Sequence, residues 1–570
     1  MTAVNTDPTT AVLAGSTTDL QREGRLLTKV GALPVVVFWS DDRAWAIDDR
    51  CPHMGFPLRQ GTVESGLVTC HWHHARFDLE SGCTLDLWAD DARAFDVTID
   101  GDEVWVAART DDGAVEHLRT RLREGLEDGL SLVTAKAVVG LLEAGVPPAD
   151  IVRVGMEFGT RYRADGWGAG LTVLTAMANV LPVLRPADRA LALVHGLVFV
   201  ARDTRGHEPR FAVGAIDADI PADRLHGWYR RFIETRSSDA AERTLATAIA
   251  SADLGAVQHL MDAAVTDHVF IDGGHTIDFT NKAFEALDHL GPEAAGDVLP
   301  TLVPETTHAS RSEEQSTWRH PDDLVALIHA TVLEPGDGSA FDDDAVATLG
   351  WRLLAEDAGE VAAALAEAAQ AGADGEQLAR AVAYAAALRI VRFHVQNDHG
   401  DWDVVHHSFT AANAVHQAMV RHPTPELLRG VVQGAMKVYL DRFLNVPAAR
   451  LPADTTGTLA ELDGCWEVQG RVDDAGRATW GYLASGGSRD ELLATLGAAL
   501  LREDAGFHWY QVYEAGVRQA RYWPEGSDES ALVLVALARF LAAHSPTRRE
   551  LARVVDIATR LRRGENVFEE

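Results

Sequence analysis

The sequence predicts a multidomain protein in which a small antiparallel all-β domain is followed by a large, mainly α-helical region. Short apolar runs separated by turn residues fill residues 19–110, as is typical of antiparallel strands. Beyond Asp111 the chain is rich in Ala, Leu, Glu and Arg, with apolar residues at helical spacing. A chain of 570 residues also exceeds what one hydrophobic core usually fills. At least two domains are therefore expected.

Four segments follow one another along the chain. Residues 1–18 are rich in Thr, Ala and Ser, which predicts a flexible tail. In the β-domain, 19–110, Leu33–Trp39 is a β-branched run and Asp100-Gly101 is a favoured hairpin turn. The helical region is expected to form two lobes, 115–333 and 345–570. The acidic, turn-forming stretch 334–344 would separate them.

Helices are predicted wherever apolar residues recur every three or four positions between capping or breaking residues. The main predicted helices are Ala135–Ala144, Ala149–Tyr162, Pro186–Ala201, Ala240–Ala252, Thr280–Leu290, Val346–Ala371, Glu376–His394, Val404–Arg421, Pro425–Phe443, Ser488–Arg502, Phe507–Arg521 and Ser530–Ala542.

The charge balance restricts the partners that the protein can bind. With 51 basic and 85 acidic side chains, the formal net charge is −34, which would repel nucleic-acid phosphates and anionic lipid. The apolar runs are shorter than a bilayer span, and the N-terminus carries no secretion signal pattern. Four cysteines are too few for a disulfide scaffold. We therefore expect a cytoplasmic protein that binds neither nucleic acid nor membrane.

Two short motifs in the β-domain point to a metal cluster. Cys51-Pro52-His53 is followed, after sixteen residues, by Cys70-His71-Trp72-His73. Two thiolates and two imidazoles are the ligands of a mixed-ligand [2Fe–2S] cluster, in which one iron takes both cysteines and the other both histidines. A Cys₂His₂ zinc site is the alternative, although zinc motifs usually pair like with like. We therefore assign Cys51, His53, Cys70 and His73 as cluster ligands.

The residues around these motifs, CPHMGFPLRQG and CHWHHARFDLESG, resemble Rieske ferredoxins and the Rieske domains of oxygenases over residues 20–108. The resemblance implies a domain that transfers single electrons and docks through its histidine edge. Phe56 and Trp72 stand where cytochrome-bc-type Rieske proteins have a disulfide, which implies a potential in the lower part of the Rieske range. His71 replaces a usual Pro, and His74 replaces a usual Gly.

The helical region differs from the catalytic domain of aromatic-ring oxygenases. That domain is sheet-rich, and the motif that marks its mononuclear iron site resembles D-x₂-H-x₄-H. Here Asp403 and His406 match the first part, but Ala411 stands in place of the second histidine. We therefore reject that catalytic domain for this chain.

Several histidines in the helical region are candidates for a second site. His268 and His275 flank a Gly-Gly turn that opens a helix, a common location for ligands. On the predicted helix Val404–Arg421, His406 begins a polar stripe that also contains Thr410, Asn413 and Gln417. These four side chains fall within an arc of about 60°. We assign His268, His275, His406 and His508 as candidate catalytic residues, with His195 and His407 as further members. Convergence of these histidines would leave room for a second iron or a haem.

Two weaker signals concern the same region. Glu305-Thr306-Thr307-His308 is one copy of the E-x-x-H half-motif of di-iron bundles, in what the sequence indicates is a loop. DHVFIDGGHTIDFTNKAFEALDHLG and HHSFTAANAVHQA resemble questin-oxidase-like proteins, which are associated with oxygenation of polycyclic aromatic compounds. Neither a Rossmann nor a P-loop glycine motif is present.

These observations predict an oxygen-dependent, monooxygenase-like oxidoreductase. Its [2Fe–2S] cluster would receive electrons from an external ferredoxin or NAD(P)H-dependent reductase, and its substrate would be a small organic molecule. The alternative is an electron-transfer or redox-sensing protein whose helical region is a docking module without catalysis. The sequence leaves the substrate and the oligomeric state open.

Overall fold

A computed structural model describes residues 11–109, 113–162, 166–565 and 567–568. The chain forms two compact units, one of residues 1–154 with 550–570 and one of residues 155–549. This differs from the expected lobes 115–333 and 345–570. The segment 334–344 does not separate two bodies, because the amides of Gly336 and Gly338 donate to the carbonyls of Ala373 and Gly372 within the second unit.

The described part of the first unit contains nine antiparallel strands, as the fold class predicts. Six form a sheet of order β1-β9-β8-β4-β3-β2 and three form a sheet of order β5-β6-β7. The strands are β1 Val12–Ser16, β2 Arg25–Val30, β3 Leu33–Ser40, β4 Arg43–Asp48, β5 Thr62–Glu64, β6 Leu67–Thr69, β7 Arg76–Asp78, β8 Ala94–Asp100 and β9 Glu103–Ala108.

The start of the chain departs from the expected flexible tail. Val12–Ser16 pairs with β9 and closes one edge of the six-stranded sheet, so the tail prediction is wrong for this segment. Residues 1–10 lie outside the described residues. The partner strand is more than eighty residues away, so a local composition rich in small polar residues could not indicate the pairing. The Asp100-Gly101 hairpin forms as predicted, and Gly101 has a φ of 60°.

Helices complete the first unit. Its described helices are α1 Thr17–Glu23, α2 Ala114–Glu127, α3 Ser131–Glu143, the first part of α4 Pro148–Arg161, and the last helix of the chain, Glu550–Arg562. That last helix packs against α3. The Arg50 guanidinium donates to the carbonyls of Leu561 and Glu565, so the segment after residue 550 is joined to the β-domain.

The second unit is helical. After α4 it contains α5 Ala169–Val180, α6 Arg189–Thr204, α7 Ala222–Glu234, α8 Ser238–Ser251, α9 Leu254–Thr266, α10 His275–Leu290, α11 Ala295–Val298, α12 Leu302–His308, α13 Leu324–Ala330, α14 Asp343–Arg352, α15 Ala358–Gln370, α16 Gly375–Val391, α17 Trp402–Arg421, α18 Leu427–Leu440, α19 Leu459–Cys465, α20 Val472–Ala484, α21 Arg489–Leu501, α22 Phe507–Arg521 and α23 Asp528–His544; α24 is Glu550–Arg562 of the first unit.

Two predictions of secondary structure in this unit are wrong. The single helix expected over Val346–Ala371 is two helices, because the chain breaks before Asp357, whose side chain caps α15 by accepting from the amide of Glu360. The E-x-x-H segment, expected in a loop, lies in α12, where Pro304 is tolerated in the first turn.

Three helices of the second unit position the candidate site. α10 and α22 each pack against α17, and α5 packs against both α10 and α22. Each of α10, α17 and α22 is buried over most of its length, which brings polar side chains into the interior. Within the described residues, no helix is both long and apolar enough to cross a membrane.

Candidate iron–sulfur and histidine centres

The two cluster loops of the first unit have the same backbone pattern. In the first, the amide of Gly55 donates to the carbonyl of Cys51 over 2.7 Å. In the second, the amide of His74 donates to the carbonyl of Cys70 over 3.0 Å. The amide of each cysteine in turn donates to the carbonyl five residues ahead, in Phe56 and Ala75. Each loop is therefore a closed five-residue turn that presents one cysteine and one histidine.

The four side chains of these loops converge in the way that a mixed-ligand cluster requires. Cys51 and Cys70 are buried free thiols. The Nδ1 atoms of His53 and His73 are 3.2 Å apart, so both imidazoles can offer Nδ1 to one iron. A hydrogen bond between the thiols raises the pKa of Cys51 and lowers the pKa of Cys70 to about 6. Burial and the neighbouring His73 lower the pKa of His53 to about 4, which keeps its ring neutral for metal binding.

The fifth residue of each loop has left-handed backbone geometry. Gly55 has a φ of 79° and His74 a φ of 64°. A side chain in this region costs roughly 1–2 kcal/mol relative to glycine. The structure thus explains why glycine is usual at the position of His74.

Replacing His74 by glycine should stabilise the domain by roughly 1 kcal/mol, since the strained φ is retained without a Cβ. A rise in the thermal midpoint of the cluster-loaded protein would show this. His71→Gly is the control, because His71 has no positive φ and its ring bonds to the Thr62 hydroxyl over 2.7 Å. An equal rise for both variants would contradict the explanation.

Buried charge and aromatic rings surround the loops. Lys136 of α3 donates to the carbonyl of Pro52 and lies 3.4 Å from the carboxylate of Asp90; burial lowers its pKa. On another side, Phe568 contacts Phe56 and Trp72, with ring centroids 5.2 and 5.0 Å apart. Trp72 remains 42% exposed.

A small β-domain with two matching loops that present Cys₂His₂ defines a [2Fe–2S] protein of the Rieske class. In agreement, residues 10–93 match the family profile described as the Rieske [2Fe-2S] domain. Through this N-terminal domain the chain belongs to the Rieske family, and its cofactor is a Rieske-type [2Fe–2S] cluster. The ligand set Cys51, His53, Cys70 and His73 fits that cluster.

Three curated proteins share this part of the chain. Ferredoxin CarAc of Metapseudomonas resinovorans is 30% identical over 89 residues, which cover 15% of this chain and 78% of the ferredoxin. 4beta-methylsterol monooxygenase of Methylococcus capsulatus is 39% identical over 71 residues, 11% of this chain and 19% of that protein. Human apoptosis-inducing factor 3 is 30% identical over 111 residues, 19% of this chain and 18% of that protein. The match thus spans less than a fifth of the length of the monooxygenase and of apoptosis-inducing factor 3.

A second centre lies inside the helical unit. His275 at the start of α10, His407 on α17 and His508 on α22 each offer a ring nitrogen, and the three nitrogens lie within 4.8 Å of one another. The Nε2 atoms of His407 and His508 are 3.2 Å apart. The ring of His275 stacks on that of His508 with an interplanar angle of 8°. We call these three residues the histidine triad.

His406 places a fourth imidazole against the histidine triad. Its ring centroid lies 4.2 Å from those of both His407 and His508, and the residue is 0% exposed. Its Nδ1 bonds to the carbonyl of Trp402 over 2.9 Å, so this nitrogen carries the hydrogen. Its Nε2 is then an acceptor, and this atom is buried without a hydrogen-bond partner. An unpartnered buried acceptor is costly, and a cation would satisfy it.

The imidazoles of this centre are held neutral. Burial and neighbouring rings lower the pKa of His407 to about 2, and lower that of His508 to about 3. Burial also lowers the pKa of His275 and, strongly, that of His406. Neutral imidazole is the form that binds metals. Phe279 and Phe507 contact the triad, so the surrounding wall is largely aromatic.

An unusual turn places His275 in the centre. Phe270, Asp272, Gly273 and Gly274 all have positive φ, and α10 begins at the next residue. At Gly274 a Cβ would lie 2.8 Å from the Ala411 Cβ and 2.9 Å from the Phe270 ring. Only glycine therefore allows α10 to start this close to α17.

Gly274→Ala should destabilise the helical unit by roughly 2–4 kcal/mol, because left-handed strain adds to overpacking. Gly273→Ala is the matched control. It also has a positive φ, of 63°, but nothing lies within 4 Å of its Cβ position, so only about 1–2 kcal/mol is expected. The thermal midpoints of the two variants measure the difference. Equal midpoints would contradict the close-packing argument.

A buried ion network continues from the triad along α10 and α22. The Lys282 ammonium donates to Glu285 over 2.9 Å and to Glu514 over 2.7 Å, and Arg518 also pairs with both carboxylates. Two cations therefore balance two anions. Nearer to the triad, Gln511 donates to the carboxyl of Asp278, whose pKa burial raises to about 7.

The structure brings together some of the sequence-predicted histidines and separates others. His275, His406 and His508 meet as described, together with His407. His268 lies elsewhere, between Glu313 at 2.9 Å and Glu234 at 3.2 Å. His195 is a core residue with both nitrogens bonded, to the Leu501 carbonyl and the Tyr510 hydroxyl.

The rest of the polar stripe on α17 connects helices. The Asn413 side chain accepts from Gln519 over 2.9 Å, and Gln417 accepts from Arg518 and Tyr522. The stripe is buried against α22 and is not a solvated helix face.

Space beside the triad is narrow. A mainly apolar cavity between α9, α10, α17 and α18 includes Gly274, Ile277 and Ala411 in its wall. Its volume is about 20 Å³, room for roughly one water molecule.

Proposed function

We propose that this protein is an oxygen-dependent, monooxygenase-like oxidoreductase. In this proposal the Rieske cluster takes electrons from an external ferredoxin or NAD(P)H-dependent reductase and supplies them to a metal ion held by His275, His407 and His508. The observation that carries the proposal is the convergence of these neutral imidazoles from three separate helices. A carrier that only docks through its helices has no use for such a centre.

The donor set supports a mononuclear metal. Three nitrogens within 4.8 Å of one another can reach one ion with bonds of about 2.0–2.1 Å after small rotations of the rings. His406, whose Nε2 is unpartnered, lies against His407 and His508 and belongs with His508 and Asp403 to a second, overlapping group of possible ligands. Imidazole suits iron, copper, zinc and nickel. A haem needs a flat slot between axial ligands, and stacked histidine and phenylalanine rings fill that space here.

The metal, when bound, would supply the one-electron chemistry with oxygen that organic side chains lack. The chain's own residues would provide the environment. Phe279 and Phe507 exclude water from one side of the histidine triad, which strengthens electrostatic interactions there. Burial raises the pKa of Asp278, one helical turn from His275, to about 7. Its carboxyl would therefore exchange a proton readily near neutral pH and could serve the site as a proton donor or acceptor.

The named relatives support an oxidoreductase with a redox partner. One is called a ferredoxin and another a monooxygenase, and both share the cluster domain with this chain. Having the cluster and the histidine triad in one chain raises their effective concentration for each other. We propose a small organic substrate that enters by widening the cavity at Gly274 and Ala411.

Metal analysis with electron paramagnetic resonance on freshly purified protein tests the proposal. The expected result is two cluster irons and one further iron or copper ion per chain, with the rhombic, low-average-g signal expected of a reduced Rieske cluster. Two irons per chain and no further redox metal would overturn the enzyme proposal. That result would favour an electron carrier or redox sensor.

A further inference from the structure

A second group of metal-ligating side chains lies in the helical unit, outside the histidine triad. It consists of His226 on α7, His259 on α9 and Glu426, the residue before α18. One ligand atom from each lies within 4.8 Å of the other two. Two helices and the residue that precedes a third thus direct two imidazoles and one carboxylate to a single point.

We propose that His226, His259 and Glu426 form a binding site for a divalent transition-metal ion of the zinc type. Two histidines and one carboxylate are a common three-residue ligand set for such ions, with the fourth position taken by water. All three residues are partly buried. The site therefore has an accessible face for the ion and for that water.

One possible ligand atom of the group, His226 Nε2, takes part in no hydrogen bond. His259 Nε2 bonds to the Glu426 carboxylate over 2.8 Å. His226 Nε2 is buried and has no hydrogen-bond partner, although its ring centroid lies only 4.8 Å from that of His259. A hydrogen-bonded His–Glu pair would account for two of the residues. It does not account for the third, whose free nitrogen a metal would satisfy.

The distances need little adjustment for metal binding. Tetrahedral bonds of about 2.0–2.1 Å place ligand atoms roughly 3.3 Å apart. The His259–Glu426 contact at 2.8 Å would therefore open by about half an ångström, while the His226 ring moves closer. Side-chain rotation can provide both changes.

The charge around the group also permits a cation. Arg230 and Arg429 are the nearby basic residues, and both pair with Asp267, Arg230 over 2.5 Å and Arg429 over 2.9 Å. Their charge is therefore partly compensated. Burial, His259 and Arg230 lower the pKa of His226, which keeps its ring neutral, as metal binding requires.

Metal binding here would connect three helices. α9 and α18 also line the narrow cavity beside the histidine triad, through Val265, Thr266 and Gly430. A metal that fixes α7, α9 and the start of α18 would stabilise the folded unit by an amount that rises with the logarithm of the free metal concentration once this exceeds the dissociation constant. This would limit the widening of that cavity.

Zinc titration by calorimetry tests the proposal. The protein is the full chain with its cluster loaded and with His407→Ala, so that the histidine triad cannot account for the binding. We expect one tight zinc equivalent per chain. Adding His226→Asn or Glu426→Gln should weaken it at least tenfold, whereas adding His329→Asn, an exposed histidine on α13, should leave it unchanged.

Two outcomes would overturn the site. One is equal zinc affinity in the His226→Asn, Glu426→Gln and His329→Asn backgrounds. The other is anomalous scattering from zinc in a crystal at any place other than these three side chains. Thermal midpoints without zinc should be similar in all variants. If His226→Asn fails to fold, Glu426→Gln still gives the result, because glutamine is nearly equal in size to glutamate. Both outcomes are independent of whether the triad binds metal.

Discussion

His407→Ala is expected to remove one metal ion per chain and to abolish substrate turnover while leaving the Rieske signal unchanged. In the proposed site the triad would hold its ion through three nitrogens, and His407 is in ring contact with His275, His406 and His508. Loss of one of three ligands should lower metal affinity by orders of magnitude. Metal quantitation by mass spectrometry, with the cluster spectrum recorded on the same sample, gives the result.

His416→Ala is the matched control for this experiment. His416 lies on the same helix and is fully buried, but it bonds to Glu376 over 2.7 Å and does not contact the triad. Its loss should cost stability without changing the metal content. Full metal content in His407→Ala would mean that the convergence of imidazoles is only a packing feature.

His53→Cys is expected to change the cluster strongly. An all-cysteine [2Fe–2S] cluster of the plant type has a potential near −400 mV, whereas histidine ligation gives about −150 to +300 mV. The variant should therefore lose the cluster or shift its potential down by roughly 100 mV or more. Spectroelectrochemistry of the purified protein measures this change.

The neighbouring His71 provides the control. Its ring bonds to the Thr62 hydroxyl and takes no part in the cluster, so His71→Ala should change the potential little. The starting protein should lie in the lower part of the Rieske range, because Phe56 and Trp72, whose ring centroids are 6.2 Å apart, replace a disulfide. A purified protein that holds zinc and lacks iron would contradict the assignment.

The cluster loops could be predicted from the sequence because each of them is local. Cys51 and His53 are two residues apart, and Cys70 and His73 are three apart, so one turn fixes each pair. The sequence could not show that Gly55 and His74 occupy equivalent positions with left-handed backbone geometry. A histidine there is unusual, and only the backbone geometry shows that it bears strain.

The helical centre could be predicted only in part. His275 was predicted from the Gly-Gly turn beside it and His508 from its place on a predicted helix. His406 and His407 are adjacent, and their side chains point about 100° apart on an ideal helix. Which one faces the centre depends on the rotation of α17 against its neighbours. Both contact His508 in the structure. His268 lies apart from the triad, between Glu313 and Glu234, on the other side of the positive-φ turn in the sequence.

The group of His226, His259 and Glu426 gave no sequence signal. The three residues are separated by 33 and 167 positions, and each sits alone in an ordinary helical pattern. Their proximity follows only from how α7, α9 and α18 pack.

The return of α24 to the first unit has a consequence for how the protein is made. Arg50, the residue before the first cluster loop, donates to the carbonyls of Leu561 and Glu565. Nearly 400 residues separate Val154 from Glu550, which at ribosomal speed is roughly 20–80 s of synthesis. Throughout that interval Leu561, Glu565 and Phe568, which contact the first cluster loop and the residue before it, have not yet been synthesised. Iron and sulfide can therefore be inserted on the nascent chain before Phe568 covers the Phe56 and Trp72 rings.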